Sequence, residues 1–338
     1  MSTAIPTTSR AVRYHATGKP EAVLHFEETA LAPLGDSDAL VALEAAVIHP
    51  SDLGMIAGTY GRLRPLPAVA GREGIGRVVK VGAGVTWLHV GDRVRMPEDE
   101  GVWRESVIAR AGSLRHVPCD IPAEIAVMSF INPPTALLLL KNFVDLQHGD
   151  WVIQNAANSA VGECVIQLAK ARGLRTVNLV RSPEKHAARL TAFGADLVLA
   201  DDKDALKTIQ AALGKNIAPR LALNSIGGTS AVTLLRALGQ DGVLVTFGGM
   251  TGDLVRFPTR EFIFNNITCR GFWMDRWART ASEDELSTVF AEVYASLRSG
   301  VMKVAVDSTY PLEDYAAAIA RAAAYGRNGK VLFKGKDR

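Results

Sequence analysis

The fold of this chain is decided by residues 151–181, which read WVIQNAANSAVGECVIQLAKARGLRTVNLVR. The run 151–155 is short and mostly apolar, as in a buried parallel strand, and Val161, Val165 and Leu168 then repeat at helical spacing. Small residues between the two allow a tight turn. The amides of a first helical turn have no partner within the helix and carry partial positive charge, so this turn predicts a phosphate-binding site.

The glycine pattern of this turn is incomplete. Dinucleotide-binding turns usually read Gly-x-Gly-x-x-Gly, and this chain has Ala157, Ser159 and Gly162 at those positions. The turn by itself therefore leaves open whether the phosphate belongs to a dinucleotide.

The end of the following strand supplies a second signal. About twenty residues after the turn, NAD sites place a carboxylate on the ribose, whereas NADP sites need a cation for the extra phosphate. Arg181 stands at that position, followed by Ser182 and Lys185. Because a guanidinium can donate two hydrogen bonds to phosphate, we predict NADPH as the cofactor. The alternative is that Arg181 is a solvated cation at the strand end.

Length and composition point to two domains of a globular protein. The chain has 338 residues, of which 48% are hydrophobic and 22% charged. No apolar run approaches the length of a membrane span, and the start MSTAIPTTSR lacks a secretion signal, so we expect a cytoplasmic protein. A net charge of +3 without basic blocks predicts neither a nucleic-acid nor a membrane partner. Three distant cysteines indicate no disulfide framework.

Two patterns of periodicity divide the chain. Up to residue 130 it reads as short strands broken by glycine and proline, which predicts a partly open β-barrel. From residue 131 to 272 strands and helices alternate, which predicts a doubly wound parallel sheet. We assign residues 1–130 and 273–338 to the barrel domain. The predicted strands are 11–14, 39–47, 74–81, 92–96 and 106–109, then 151–155, 176–181, 197–200, 221–224, 243–247 and 268–272; the tail is predicted as helix 283–299, strand 304–310, helix 313–325 and strand 330–333.

The order of these parts resembles the medium-chain dehydrogenase/reductase superfamily, with its GroES-like barrel and its Rossmann domain. Several strings are similar to those of the mitochondrial-type 2-enoyl thioester reductase branch, and the related quinone oxidoreductases share the general frame. The strings are IHPSDLGMIAGTYG, NPPTA, QNAANSAVG, NLVR, FGGM and RGFW. The resemblance to the superfamily also includes barrel residues at Gly71, Glu73, Gly76, Gly82, Val85 and the run GDRV at 91–94.

The resemblance implies an enzyme without zinc. In zinc-dependent members a ligand Cys stands where this chain has His49, and a ligand His stands where it has Arg72. A guanidinium cannot ligate a metal, and the run 96–106 has no cysteine for a structural zinc lobe. We therefore predict no metal site.

The resemblance carries Tyr60 over as the catalytic residue. Hydride delivery to the β-carbon of a conjugated thioester makes an enolate, and a phenol can stabilise its oxygen or protonate its α-carbon. The alternative is that Tyr60 only anchors a turn between Gly58 and Gly61. His49, where the family has Asn, is a second candidate for the active site, with a structural histidine as its alternative.

The same matching implies a set of cofactor contacts. Asn132 and Thr135 would approach the nicotinamide, and Asn158, Ser159, Ala160 and Val161 would hold the pyrophosphate. Other contacts would follow the last strands of the parallel sheet or come from the tail. These are Phe247, Gly248, Gly249, Met250, Phe272, Trp273 and Lys330.

The function that follows is NADPH-dependent reduction of the C=C bond of a trans-2-enoyl thioester of coenzyme A or acyl carrier protein. The predicted partner is this small-molecule substrate. Two alternatives stay open: an NADPH:quinone oxidoreductase or enone reductase, and an NADPH-binding protein without catalysis. The family also implies a homodimer joined through the strand predicted at 268–272.

Overall fold

The computed structural model describes residues 5–214 and 216–336. It divides into two compact units, of which the first holds the residues up to Phe130 and those from Ala305 onward, and the second holds Ile131–Val304. The chain thus leaves the first unit, builds the second and returns.

The first unit is mainly β-structure. Its first part contains a three-stranded antiparallel sheet and most of a larger sheet. The strands are β1 (Thr8–Tyr14), β2 (Leu24–Ala30), β3 (Asp38–Val47), β4 (Ala68–Val69), β5 (Gly74–Val81), β6 (Arg93–Arg95), β7 (Ser106–Arg110) and β8 (Arg115–His116); the helices are α1 (Pro20–Val23), α2 (Pro50–Ala57) and α3 (Ala123–Ala126), with 3-10 turns at Glu98–Glu100, Ala111–Ser113 and Val127–Ser129.

The second unit alternates strand and helix, as its sequence predicts. The strands are β9 (Trp151–Gln154), β10 (Arg175–Val180), β11 (Leu197–Ala200), β12 (Leu221–Asn224), β13 (Val243–Thr246) and β14 (Thr268–Gly271). The helices are α4 (Asn132–Lys141), α5 (Ala160–Ala171), α6 (Pro183–Phe193), α7 (Ala205–Leu213), α8 (Gly228–Ala237), α9 (Thr259–Phe264), α10 (Met274–Thr280) and α11 (Glu283–Arg298).

The tail completes the first unit with β15 (Val306–Pro311), a 3-10 turn at Leu312–Asp314, α12 (Tyr315–Ala323) and β16 (Lys330–Lys334). Strand β16 pairs antiparallel with β3, where Leu332 lies opposite Val47. The larger sheet therefore has the order β15-β16-β3-β5-β6-β8, with β7 also on β3. Trp103 and Phe333 meet edge to face in the core of this barrel-like unit, and the indole donates to the carbonyl of Val47.

The sheet of the second unit has the order β11-β10-β9-β12-β13-β14, and all its recorded pairings are parallel. Successive strands run outward from β9 in one direction and from β12 in the other. The order therefore reverses between β9 and β12, and in such sheets ligands bind at the carboxyl ends of the strands beside this switch point. The doubly wound fold predicted from the sequence is confirmed.

Helix α4 is a short, mostly apolar helix that is buried in the protein. Every residue of α4 except Lys141 is buried, as expected of a helix that is apolar all round. Among the described residues no single helix is long and apolar enough to cross a membrane. The segments Ala123–Ser129 and Asn132–Lys141, which are bent relative to each other, reach that length and apolar composition only when they are taken together.

Two details of the sequence-based assignment need correction. The structure places 273–304 with the parallel sheet rather than with the barrel. The reason is packing: Val289 and Val293 of α11 are buried in the same core as α4 and α5. Strand β2 was not predicted, because its alternate residues are half-exposed and two adjacent glutamates weaken the apolar pattern.

Candidate active site

The phosphate turn predicted at 155–162 forms the start of α5. Ser159 is the N-cap residue, and its hydroxyl accepts from the amide of Gly162 over 3.2 Å. A Cβ added at Gly162 would lie 2.6 Å from the carbonyl oxygen of Ala157. Glycine is therefore required at 162 for the turn to close tightly on the helix. Asn158, Ala160 and Val161 lie around this helix start, as predicted.

Cations follow β10 beside this turn. Arg181 is exposed directly after the strand, Ser182 is the N-cap residue of α6, and Lys185 lies in its first turn. His186, which the sequence did not single out, lies with Nε2 3.3 Å from Nδ2 of Asn158. Burial lowers the pKa of His186, and the nearby charge of Arg189 lowers it further. Lys185 and Arg181 also lower it, while Glu184 acts in the opposite direction, so several cations lie close to the turn.

The tight turn and the cations together fit a phosphorylated dinucleotide. Helical amides without a partner inside the helix, in a turn that Gly162 lets close tightly, suit a pyrophosphate. A guanidinium, a hydroxyl and an ammonium, from residues 181, 182 and 185, suit the phosphate on the adenosine ribose of NADP. The donor set is thus consistent with the predicted cofactor.

A buried hydrogen-bond network underlies the carboxyl ends of β9 and β12. The amide of Asn155 donates to Oδ1 of Asn224 over 2.8 Å and to the hydroxyl of Ser230 over 2.9 Å. Ser230 in turn donates to Asp201 over 2.6 Å, and the backbone amide of Ser225 donates to Asn155. The sequence analysis missed this network, although an asparagine that ends an apolar strand is a usable signal. The network fixes the loops that follow both strands.

The other cofactor contacts predicted in the second unit occupy three places. Asn132 and Thr135 are buried in the first turn of α4. Phe247 to Met250 follow β13, where the amide of Met250 donates to the carbonyl of Ser225. Phe272 and Trp273 follow β14, and Phe272 contacts Phe143 edge to face. The structure thus puts 247–250 and 272–273 after neighbouring strands of one sheet.

Helix α2 of the first unit positions the two predicted catalytic residues. His49 is its N-cap residue, and the carboxylate of Asp52 accepts from the backbone amide of His49 over 2.7 Å. At the other end Gly58 takes a left-handed conformation with φ of 79°, and the amide of Tyr60 donates back to the carbonyl of Gly54. Tyr60 is therefore held by the C-cap of the helix that His49 begins.

The hydroxyl of Tyr60 belongs to a row of charged groups. Nη1 of Arg72 donates to this hydroxyl over 2.8 Å, and Nε of Arg72 donates to Oε1 of Glu98 over 2.8 Å. Glu98 also accepts from Arg95 over 3.0 Å through its other oxygen. The sequence identified Arg72 only as a residue that cannot bind zinc and did not predict this row.

His49 lies between two buried charges. Its Nε2 is 2.6 Å from Oε2 of Glu73, and its Nδ1 is 3.1 Å from Nζ of Lys330 on β16. Burial and the charge of Lys330 hold the pKa of His49 well below its ordinary value, so the ring is neutral. A neutral ring with an ammonium at Nδ1 must carry its hydrogen on Nε2 and donate it to Glu73. This geometry favours a positioning role for His49 over contact with substrate.

Lys330 was predicted as a cation for the cofactor. The structure places it in the first unit, where it is 8% exposed and donates to the ring of His49. The cations that the structure gathers beside the phosphate turn are instead those at 181, 185 and 189. Contact of Lys330 with the cofactor stays a prediction.

The next feature is whether the side chains of the site could bind a metal ion. The described residues contain no group of three or more His, Cys, Asp or Glu side chains that could hold a metal ion. Arg72 has donors only, and both ring nitrogens of His49 are engaged by Glu73 and Lys330.

Family models match both units. Residues 35–117 match the alcohol dehydrogenase GroES-like domain, and residues 160–291 match the zinc-binding dehydrogenase family. The first match contains β3 to β8 of the barrel, and the second contains β10 to β14 of the parallel sheet.

Individual proteins resemble the chain over nearly its whole length. The mitochondrial enoyl-[acyl-carrier-protein] reductase of Dictyostelium discoideum is 38% identical over 97% of this chain and 95% of its own. Among solved structures, the 2-enoyl thioester reductase heterodimer of Candida tropicalis superposes with a TM-score of 0.87 at 26% identity, covering 97% of this chain and 99% of that one.

A mycobacterial quinone oxidoreductase has a TM-score of 0.81 at 27% identity, over 96% of this chain and 99% of its own. The frame is therefore common to both kinds of reductase, and 38% identity over nearly the whole chain links the sequence to the Dictyostelium enoyl reductase. This chain belongs to the enoyl thioester reductase branch of the medium-chain dehydrogenase/reductase superfamily, and it is an oxidoreductase.

Proposed function

We propose that this protein reduces the C=C bond of a trans-2-enoyl thioester with NADPH. The observation that carries the proposal is the hydrogen bond from Nη1 of Arg72 to the hydroxyl of Tyr60. Because the guanidinium is the donor, the oxygen of Tyr60 accepts, and the phenolic hydrogen is not used in that bond. The bond from Arg72 is therefore compatible with donation by Tyr60 to a thioester, which is the role that the proposal gives it.

The proposed chemistry assigns separate tasks to the two units. When bound, NADPH supplies the hydride that adds to the β-carbon. In the second unit, the turn at 158–161 would hold the pyrophosphate and Arg181 the extra phosphate. In the first unit, Tyr60 would stabilise the enolate that forms at the thioester.

The reaction needs no metal ion in this proposal. A conjugated C=C bond delocalises the charge of the incoming hydride into its own carbonyl, so a hydrogen-bond donor can replace a Lewis acid. What supports this is that Arg72 and His49 stand where zinc-dependent relatives carry ligands, and neither offers a lone pair that is not already engaged.

A quinone or enone reductase is the second candidate. It is favoured by the similarity to the mycobacterial quinone oxidoreductase, whose chain is covered to 99%. A quinone also accepts hydride into a conjugated system, so Tyr60 would matter less to its reduction.

Steady-state consumption of NADPH separates the candidates. The purified protein is assayed with 2-enoyl-CoA esters of several chain lengths and with a free quinone, and the Tyr60→Phe variant is assayed in parallel. We expect reduction of the esters and a fall in kcat of about 100-fold in the variant. Turnover of quinone only would support the second candidate. Tight NADPH binding without any turnover would indicate a binding protein without catalysis.

We also propose that the protein is a homodimer joined through β14. This strand ends the parallel sheet, and three of its four residues are exposed. Ile263 and Phe264, just before it, are 64% and 68% exposed. Apolar side chains beside an open strand edge are typical of a surface that pairs with a second copy of the chain.

Etr1p is a subunit of the Candida tropicalis heterodimer, and its complex with NADP and crotonyl-CoA supports the choice of ligands. It superposes with a TM-score of 0.87 at 26% identity over 97% of this chain and 99% of that one. For this chain, NADPH and a small acyl thioester remain proposals that the assay above tests.

A further inference from the structure

The guanidinium of Arg72 is fixed against the hydroxyl of Tyr60. Arg72 is 4% exposed, and its guanidinium carbon also lies 5.0 Å from the centre of the Tyr60 ring. Nε and Nη2 both donate to Oε1 of Glu98, which leaves Nη1 directed at Tyr60. One cation is thus held by a carboxylate so that it donates to one phenol.

Glu98 is itself anchored independently of Arg72. Its second oxygen accepts from Arg95, and the guanidinium of Arg95 stacks on the ring of Phe130 at 5.1 Å. Removing the charge of Arg72 would therefore leave Glu98 with a partner.

The charge at position 72 is permanent. Burial lowers the pKa of Arg72, but the charge of Glu98 and its contact with Tyr60 more than offset this, and the pKa stays above its ordinary value. Asp52 from α2 also raises it, and Arg64, from the loop after Tyr60, is a further charge in this cluster. Arg72 is the member of the cluster whose recorded hydrogen bond reaches the hydroxyl of Tyr60.

We propose that Arg72 is the positioning residue that makes Tyr60 the proton donor to the α-carbon. This inference rests on the proposed function and deepens it. Hydride addition to the β-carbon oxidises NADPH to NADP⁺ and leaves an enolate. The O–H bond of Tyr60 then breaks, its proton forms the new C–H bond at the α-carbon, and the electron pair stays on the phenolic oxygen. Water returns the proton afterwards.

The geometry explains why this step would be fast. Before proton transfer Arg72 donates to a neutral phenol, and afterwards it donates to a phenolate. A hydrogen bond between two charged groups is stronger than one to a neutral acceptor, so Arg72 stabilises the transition state more than the ground state. No movement is needed, because Glu98 already holds the guanidinium in place.

A double-mutant cycle tests this assignment. Arg72→Met removes the charge and the donor, Tyr60→Phe removes the proton, and the double variant combines them. Because loss of a preorganised donor typically costs about 100-fold in kcat, we expect Arg72→Met to lose about that much with a smaller change in KM for the thioester. In the Tyr60→Phe background the same substitution should cost little more, since the two residues act on one proton.

Isotope effects give a readout that a structural role would not change. If Arg72 acts through the proton transfer from Tyr60, the solvent deuterium isotope effect on kcat should rise in Arg72→Met, whereas the same substitution in the Tyr60→Phe background should leave it unchanged. Arg321→Met is the matched control, because Arg321 also donates through Nε and Nη2 to one carboxylate in the same unit. Its kinetics should follow the wild type.

Three outcomes overturn the assignment: equal losses from Arg72→Met in both backgrounds, a change confined to KM, or an unchanged isotope effect. If Arg72→Met does not fold, Arg72→Lys keeps the charge and is read in the same cycle, with a smaller loss expected that again vanishes beside Tyr60→Phe. A wild-type protein that does not reduce enoyl thioesters would overturn the proposed function itself, which separates that failure from a failure of Arg72.

Discussion

Nε2 of His49 lies 2.6 Å from Oε2 of Glu73, and both side chains are almost fully buried. The other oxygen of Glu73 accepts from the backbone amide of Phe130 over 2.7 Å. With Lys330 on the far side of the ring, the histidine is fixed at both nitrogens. This arrangement makes a prediction about stability.

Stability should fall in mild acid because of His49. Its pKa in the folded protein is well below the ordinary value of 6.5, so below pH 6.5 the unfolded chain binds a proton that the folded chain does not. The free energy of unfolding should therefore rise with pH up to about 6.5 and lose up to about 1.4 kcal/mol per pH unit below it.

The measurement is urea unfolding of the wild type and His49→Asn between pH 5.5 and 7.5. The variant loses stability at every pH, because Lys330 and Glu73 lose a partner, but its slope with pH should be shallower than that of the wild type. Parallel slopes would show that the pKa of His49 does not differ between the folded and unfolded states.

Coenzyme choice should depend on Arg181. We expect Arg181→Ala to raise KM for NADPH by about tenfold or more and to leave KM for NADH nearly unchanged, because only NADPH carries the phosphate that a guanidinium can bind. Arg175→Ala is the matched control. It lies at the opposite end of β10, where it pairs with Asp196 and stacks on Trp151. Equal effects of Arg181→Ala on both coenzymes would contradict the assignment.

The turn before α5 should not tolerate a side chain at Gly162. In Gly162→Ala the new Cβ would lie 2.6 to 2.8 Å from backbone atoms of Ala157. These backbone atoms cannot move away without opening the turn. We expect a loss of about 1–3 kcal/mol in stability and weaker NADPH binding, measured by thermal unfolding and fluorescence titration. Gly112→Ala is the control, since nothing lies within 4 Å of its Cβ. Normal NADPH affinity in Gly162→Ala would argue against a phosphate at this turn.

A charge beside β14 should separate the proposed dimer. Ile263→Lys places an ammonium on the exposed apolar surface next to the strand edge, where pairing would have to desolvate it. Sedimentation velocity should change from dimer to monomer. Val90→Lys, at a 65% exposed residue of the first unit, should leave the dimer intact. A monomeric wild type, or a dimer that survives Ile263→Lys, would rule out this edge.

The parallel sheet could be predicted closely from sequence, and the barrel less so. Strands predicted at 197–200 and 221–224 were found with the same bounds, three others end one residue earlier than predicted, and the strand predicted at 176–181 differs by one residue at both ends. Strands covered on both faces are continuous apolar runs, which a sequence displays directly. Strand β2 is half-exposed, so its pattern is weak.

The sequence named candidate residues for the site but not the contacts between them. Tyr60 and Arg181 stand in recognisable motifs, whereas Arg72 and Glu98 belong to separate segments that meet only in the folded barrel. Likewise His49 finds partners 24 and 281 positions away. Local patterns carry no information about such pairings, because they depend on how strands from different parts of the chain are aligned.

The return of β16 to β3 affects the order in which the two units can fold during synthesis. Residue 330 leaves the ribosome after the whole parallel-sheet unit, yet its side chain completes the surroundings of His49, which was made 281 positions earlier. A nascent chain therefore carries an unfinished barrel while the second unit can already fold. Activity should therefore appear only after β16 has been synthesised and has paired with β3.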